Sequence, residues 1–272
     1  MNAVWINLFV LALSGLAQAG YETPTYVTNS VIPGGKTSRI VNGKLAQLGQ
    51  FPYQVYMILS DPNGYSVVGG GSIISDEWIL TAAHCIHGVT KADVYMGAVY
   101  WYSADRVMIP ARSFIQHPSY VPTAFTHDIG LIRLSAKITF NTVIKPISLA
   151  SAEDGPYEYL DDAQVSGFGK TSDLATYASS YLYYTDVMTI SNDECKQTFA
   201  HHIIDSTICS RSLTANPVSH SCSGDSGGPL VYRGVQIGVV SFGASGGCEK
   251  NYPKAYARVS AFRNWIRCVT GV

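Results

Sequence analysis

The chain has 272 residues, of which 47% are hydrophobic and 14% charged, with a formal net charge of −1. This is enough apolar material for a sizeable core and too balanced a charge for a polyanion-binding or disordered protein. No run of like charge points to a nucleic acid or a membrane surface, so neither is expected as a partner.

In chain order, Val4 to Leu16 is an apolar run followed by Ala17-Gln18-Ala19. The run is too short for a membrane span, and the small-x-small exit has the form of a signal peptidase site, so residues 1–19 read as a signal peptide and the product as secreted and extracellular. The segment departs from the usual pattern in having no Lys or Arg before the apolar run. Gly20 to Arg39 is polar, rich in Thr, Ser, Gly and Pro, and without periodicity, which describes a linker. Losing residues 1–39 removes only Glu22, Lys36 and Arg39 among charged residues and leaves the balance slightly acidic.

Short β-rich segments then alternate with turn signals: Tyr53 to Leu59, Val67 to Ile74, Trp78 to Thr81, Asp93 to Tyr100 and Ile129 to Leu134. Many short strands at this spacing indicate an antiparallel barrel or sandwich. The pattern lapses over 146–156, the expected connection between two halves, and resumes at Ala163 to Gly167, Leu182 to Ile190, Pro229 to Tyr232, Gln236 to Phe242 and Lys254 to Val259. Two helices are expected. Ser191 to Glu194 has capping-box form before Cys195 to Phe199, and Ser260 to Val269 places Phe262, Trp265, Ile266 and Val269 on one face.

Three motifs carry chemistry. Cys222-Ser223-Gly224-Asp225-Ser226-Gly227-Gly228-Pro229-Leu230 surrounds a serine with glycines that let backbone N–H groups converge where a negative oxygen develops. A serine hydroxyl is a weak nucleophile that needs a base and a group to orient the base. Thr81-Ala82-Ala83-His84-Cys85 and His127-Asp128-Ile129-Gly130-Leu131 supply both, in the order His, Asp, Ser. Each motif alone is as easily an ordinary turn or strand end; the ordered set is specific.

From Ile40 to its end the chain resembles the chymotrypsin-like (trypsin-like, S1) serine endopeptidases. The resemblance implies an all-β fold over 40–272, with two six-stranded antiparallel β-barrels, the active site between them and a C-terminal helix. It implies His84 as general base and acid, Asp128 orienting it, Ser226 as nucleophile, and the N–H groups of Gly224 and Ser226 as the oxyanion hole. Arg39-Ile40-Val41-Asn42-Gly43 resembles the family's activation junction, so residues 20–39 become an activation propeptide. Cleavage after Arg39 by a trypsin-like protease would free an Ile40 ammonium to pair with Asp225.

The same resemblance pairs Cys195 with Cys209 and Cys222 with Cys248, each closed loop contributing about 3 to 4 kcal/mol in the chain-entropy model. Cys85 departs from the pattern, because glycine stands near Gly69, where its usual partner belongs. Cys85 and Cys268 are either free thiols, which we favour, or an unusual pair.

The primary pocket departs further. Six residues before Ser226 stands His220, where a trypsin has Asp, so a cationic side chain would find no carboxylate there and cleavage after Lys or Arg is not expected. Ser241-Phe242-Gly243 forms one wall, with Phe242 in place of the usual tryptophan. Lys254, in Pro253-Lys254-Ala255-Tyr256, stands on the other wall where the family has glycine. The lysine either snorkels to solvent, leaving a pocket for apolar side chains, or points inward and reads an acidic one. The specificity is therefore chymotrypsin-like or acidic.

His87, His117, His127, His201 and His202 have no zinc-site spacing, no calcium loop is carried over, and neither metal nor cofactor is expected. Tyr100-Trp101-Tyr102 is either a substrate-contacting patch or loop packing, the latter favoured. The expected partners are protein or peptide substrates, an activating protease and protein inhibitors, with the enzyme a monomer acting in digestion or simple extracellular proteolysis. The alternative is a catalytically silent secreted homologue that acts as a binding protein. Such relatives lose a triad residue type, and this chain retains all three.

Overall fold

The computed structural model describes residues 40–272. The expected signal peptide and activation propeptide thus lie outside the described residues. Strand β1 (Lys44–Leu45) precedes β2 (Gln54–Ser60), β3 (Ser66–Ile73), β4 (Trp78–Thr81), the one-turn helix α1 (Ala83–Ile86), β5 (Lys91–Met96), β6 (Val107–Gln116) and β7 (Gly130–Leu134). Strands β2-β3-β4-β7-β6-β5 close into an antiparallel barrel. Period-two alternation fills it: Val55, Met57 and Leu59 of β2 are at most 1% exposed and pack with Ile73, Ile79 and Leu131.

After β8 (Ser148–Leu149) come β9 (Ala163–Gly167), β10 (Tyr183–Ile190), helix α2 (Asn192–Phe199), β11 (Thr207–Ser212), β12 (Pro229–Tyr232), β13 (Val235–Gly243), β14 (Lys254–Arg258) and helix α3 (Val259–Thr270). Here β9-β10-β11-β14-β13-β12 returns to β9, a second antiparallel ring, to which β1 adds beside β10 and β8 beside β13. Closure leaves neither ring an open edge. Val165, Val187, Leu230, Ile237, Val239 and Tyr256 fill it, and α3 seals one end with buried Phe262 and Ile266.

Several expectations shift. The strand expected over Asp93 to Tyr100 is β5, two residues earlier at its start and ending at Met96; β1, β6, β8, β11 and α1 were not foreseen. Pro110 and a largely exposed face hide β6 from the pattern. Ser191 caps α2 by accepting from the Glu194 N–H at 3.2 Å, but the Glu194 carboxylate pairs with Arg211 at 3.3 Å instead of returning to the cap, so only half the box forms. The barrels are joined by buried polar bonds, with Ser72 Oγ donating to Gln236 Oε1 at 2.6 Å and Ser166 Oγ to Gln54 Oε1 at 2.7 Å.

Candidate active site

His84 sits on α1, immediately after β4 leaves the first barrel, and Asp128 sits in the turn that enters β7. Asp128, 1% exposed, receives the His84 backbone N–H on Oδ1 at 2.8 Å and meets His84 Nδ1 with Oδ2 at 2.7 Å. A third donor comes from the second barrel. Pairing of β13 with β14 matches Val240 to Tyr256 and Phe242 to Ala255, so Ser241 is an extra, bulged residue, and its Oγ donates to Asp128 Oδ2 at 2.5 Å. Sequence placed Ser241 on a pocket wall; the structure adds this bond, for which the sequence holds no signal.

A carboxylate so held fixes the proton on Nδ1 and turns the Nε2 lone pair of His84 outward. Burial disfavours the imidazolium, but the neighbouring Cys85 and Asp128 side chains outweigh it and raise the His84 pKa. Nε2 lies 3.5 Å from Cys85 Sγ, and the Ser226 hydroxyl makes no hydrogen bond among the described residues. His84 and Ser226 open on one cleft of about 340 Å³.

Ser226 projects from the loop between β11 and β12. Gly227 holds φ at +81°, and a Cβ there would collide with Thr81 Oγ1 and the Gly70 carbonyl, so only glycine lets the loop press against the first barrel. The Gly70 N–H donates to the Ser226 carbonyl at 2.8 Å across the same junction. The N–H groups of Gly224 and Ser226 have no hydrogen-bond acceptor among the described residues. Such free donors beside a nucleophile can stabilise an oxyanion.

Asp225 points the other way. It is fully buried, with Oδ1 accepting from the Gly169 N–H at 2.7 Å and Oδ2 from the Cys222 N–H at 2.8 Å, and it forms no ion pair among the described residues. Burial pushes its pKa up to about 6. Ile40 is also fully buried; Val41 pairs with His220, Asn42 Nδ2 donates to the Val218 carbonyl at 2.8 Å, and Ser219 Oγ donates to the Asn42 carbonyl at 3.2 Å.

The cleft is walled by Ser241, Phe242, Gly243 and Lys254, together with Ser221 and Phe125, which sequence reasoning missed. Phe125 lies in an irregular turn with no pattern to mark it, yet its ring meets His84 edge-on at 5.7 Å. His220 departs from its expected place at the pocket base. It is fully buried, does not line the cleft, and accepts the Ser212 N–H on Nε2 at 2.8 Å. Burial, with the Lys254 charge, holds its pKa down at about 3, so it is a neutral imidazole.

Lys254 does not snorkel. It is 5% exposed, and its Nζ lies 2.9 Å from where a Cβ on Gly243 would stand, so it crosses the pocket wall. No hydrogen bond or ion pair holds this ammonium among the described residues, and burial lowers its pKa against the opposing pull of Asp173 and Asp225.

Disulfides join Cys195 to Cys209 and Cys222 to Cys248, the latter two cysteines both lining the cleft. Cys85 and Cys268 are free, the first buried and the second exposed. Trp101 stacks on Tyr56 at 4.7 Å, whereas Tyr100 and Tyr102 are exposed, so the aromatic triplet is partly packing and partly surface. No helix among the described residues is long and apolar enough to cross a membrane.

This architecture has many relatives. The trypsin family model matches residues 40–266. Brachyurin of Leptuca pugilator is 37% identical over 86% of this chain and 99% of its own length. A collagenase of Hypoderma lineatum is 34% identical over 97% of this chain and 98% of its own. The solved structure of HL collagenase superposes with a TM-score of 0.77 at 34% identity, covering 85% of this chain and 99% of that one. Two antiparallel six-stranded barrels, the extent of the family match and the identity to these relatives lead to one assignment: the chain belongs to the trypsin family and is a serine endopeptidase.

Proposed function

We propose that Ser226, His84 and Asp128 carry the hydrolysis and that the chain is an exported precursor switched on by cleavage after Arg39. The observation that carries the catalytic reading is the Asp128-bound imidazole facing the same cleft as Ser226. Ser226 Oγ attacks the scissile carbonyl carbon while His84 Nε2 takes its proton. The new oxyanion is received by the free N–H groups of Gly224 and Ser226, and collapse expels the amine, protonated by His84. Water then resolves the acyl enzyme by the same steps. The hydrogen bond from Ser226 to Nε2 forms as substrate excludes solvent, since such bonds are often long in the unliganded state.

Activation is supported by Asp225, a buried carboxylate with two N–H donors and no cation. Ile40, fully buried, holds φ at 43°, which is strained for a β-branched residue. Cutting the Arg39–Ile40 bond releases Ile40 from the fixed peptide linkage and frees an ammonium that can neutralise Asp225.

For the residue before the scissile bond, the inward, unpaired Lys254 supports an acidic preference over a chymotrypsin-like one. A desolvated ammonium in a narrow pocket favours a carboxylate and repels Lys and Arg.

The test is the activated enzyme against its Ser226→Ala variant. Turnover should vanish with the hydroxyl, and a sulfonyl fluoride should label Ser226 of the parent alone. Equal turnover of the two after matched activation would remove Ser226 from the mechanism.

A further inference from the structure

The turn that carries Phe125 is held from the opposite barrel. The Val121 N–H donates to the Thr126 carbonyl at 3.2 Å and the Ala124 N–H to the Val121 carbonyl at 3.2 Å, which closes the base of a tight turn just before Asp128. At the tip, Phe125 holds φ at 52°, a left-handed value that a bulky side chain adopts only when contacts elsewhere impose it. One such contact comes from His202, in the 3₁₀ turn Ala200–His202 that follows α2. Its Nδ1 lies 3.1 Å from the Ala124 carbonyl oxygen. A carbonyl can only accept, so Nδ1 carries the proton and donates.

We propose that His202 is a positioning residue for substrate selection: its bond to Ala124 holds the Phe125 ring beside His84 and so builds an apolar wall for the substrate side chain next to the one in the primary pocket. The rings form a connected series across the cleft. Phe125 meets His84 at 5.7 Å and Phe242 at 5.9 Å, and Phe242 in turn meets Phe199 at 5.3 Å and the His202 ring at 6.3 Å. His202 therefore links both walls, the second-barrel one through the Phe242 ring and the first-barrel one through the Ala124 carbonyl.

Phe125 and Phe242 line the cleft with His84 and Ser226, whereas His202 does not, so His202 acts only through the ring it holds. Without the bond, Phe125 can relax its φ and its ring leaves His84. A substrate side chain between His84 and Phe242 then loses one apolar partner. The inference rests on the reading of this cleft as the active site.

The experiment is steady-state kinetics of the activated enzyme on two peptides that differ only in Leu or Gly at the second residue before the scissile bond. The parent should prefer Leu. Phe125→Ala should lower the Leu-to-Gly ratio of kcat/KM by at least about tenfold, as lost apolar contact in a pocket does. His202→Ala should lower it about three- to tenfold, the span of one lost hydrogen bond, with the loss falling in KM. His202→Asn should restore most of the ratio, because its side-chain amide places an N–H where Nδ1 stood. In the Phe125→Ala background, His202→Ala should change the ratio no further, since both act through one ring. An equal effect of His202→Ala with and without Phe125, an equal loss on both peptides, or failure of Asn to rescue would overturn the proposal. If Phe125→Ala lost the selectivity and His202→Ala kept it, the fault would lie with His202; if both kept it, the fault would lie with the reading of the cleft.

Discussion

The Asp225 carboxyl gives the uncleaved chain a pH dependence opposite to that of an ordinary surface carboxylate. Burial raises its pKa from 3.8 to about 6, against the pull of the Cys222 and Gly169 N–H groups. A folded-state pKa above the unfolded one means that the native chain holds the proton more tightly. Its stability is therefore full below pH 3.8 and falls as pH rises through about 6. At about 1.4 kcal/mol per unit, the loss is about 3 kcal/mol. If the chain is activated as proposed, cleavage after Arg39 should reverse this, because an Ile40 ammonium brought to Asp225 would favour the ionised carboxylate and the mature chain should keep its stability to neutral pH.

The assay is urea denaturation followed by tryptophan fluorescence across this interval, on precursor and cleaved forms that both carry Ser226→Ala to prevent self-digestion. Asp225→Asn in the precursor should abolish the slope. It should also lower stability at acid pH by about 1–3 kcal/mol, because one amide oxygen replaces two acceptors for buried N–H groups, so that above about pH 6 the variant should equal or exceed the parent precursor. A precursor equally stable across the interval, or one whose slope survives in Asp225→Asn, would refute the reasoning.

Three further outcomes follow from the same geometry. Lys254→Gly should cut acidic preference before the scissile bond by about 30-fold, the equivalent of about 2 kcal/mol for truncating one partner of a buried charge pair, and should admit large aromatic side chains. Peptide-library profiling reads this, and an unchanged profile would remove Lys254 from the pocket. Replacing Cys222 and Cys248 together by Ala should cost about 3 to 4 kcal/mol of stability and, since both line the cleft, raise KM in steady-state assays. Gly69→Cys should close a bridge to Cys85 and add about 3 kcal/mol, seen as a stability gain lost on reduction and as a thiol titration that finds Cys268 alone.

The family, the barrel architecture and the three reactive residue types are legible in the sequence because they are local. Short β-rich runs between turn signals mark β2, β4 and β7, an apolar stripe marks α3, and short motifs surround His84, Asp128 and Ser226. Strands β6 and β11 escaped because their pairing comes from neighbours in the closed ring, not from a strong pattern of their own. What a side chain faces is decided the same way, by residues far off in the chain. The bulge that delivers Ser241 to Asp128 depends on the register of β13 against β14, and His220 lies behind the pocket because Val41 and Ser212 hold it there. Lys254 reaches inward across Gly243, and Cys85 turns its sulfur to His84 where Gly69 offers no partner. Motif spacing carries none of these directions, since rotamer and burial are settled only when both barrels and the loops between them have packed.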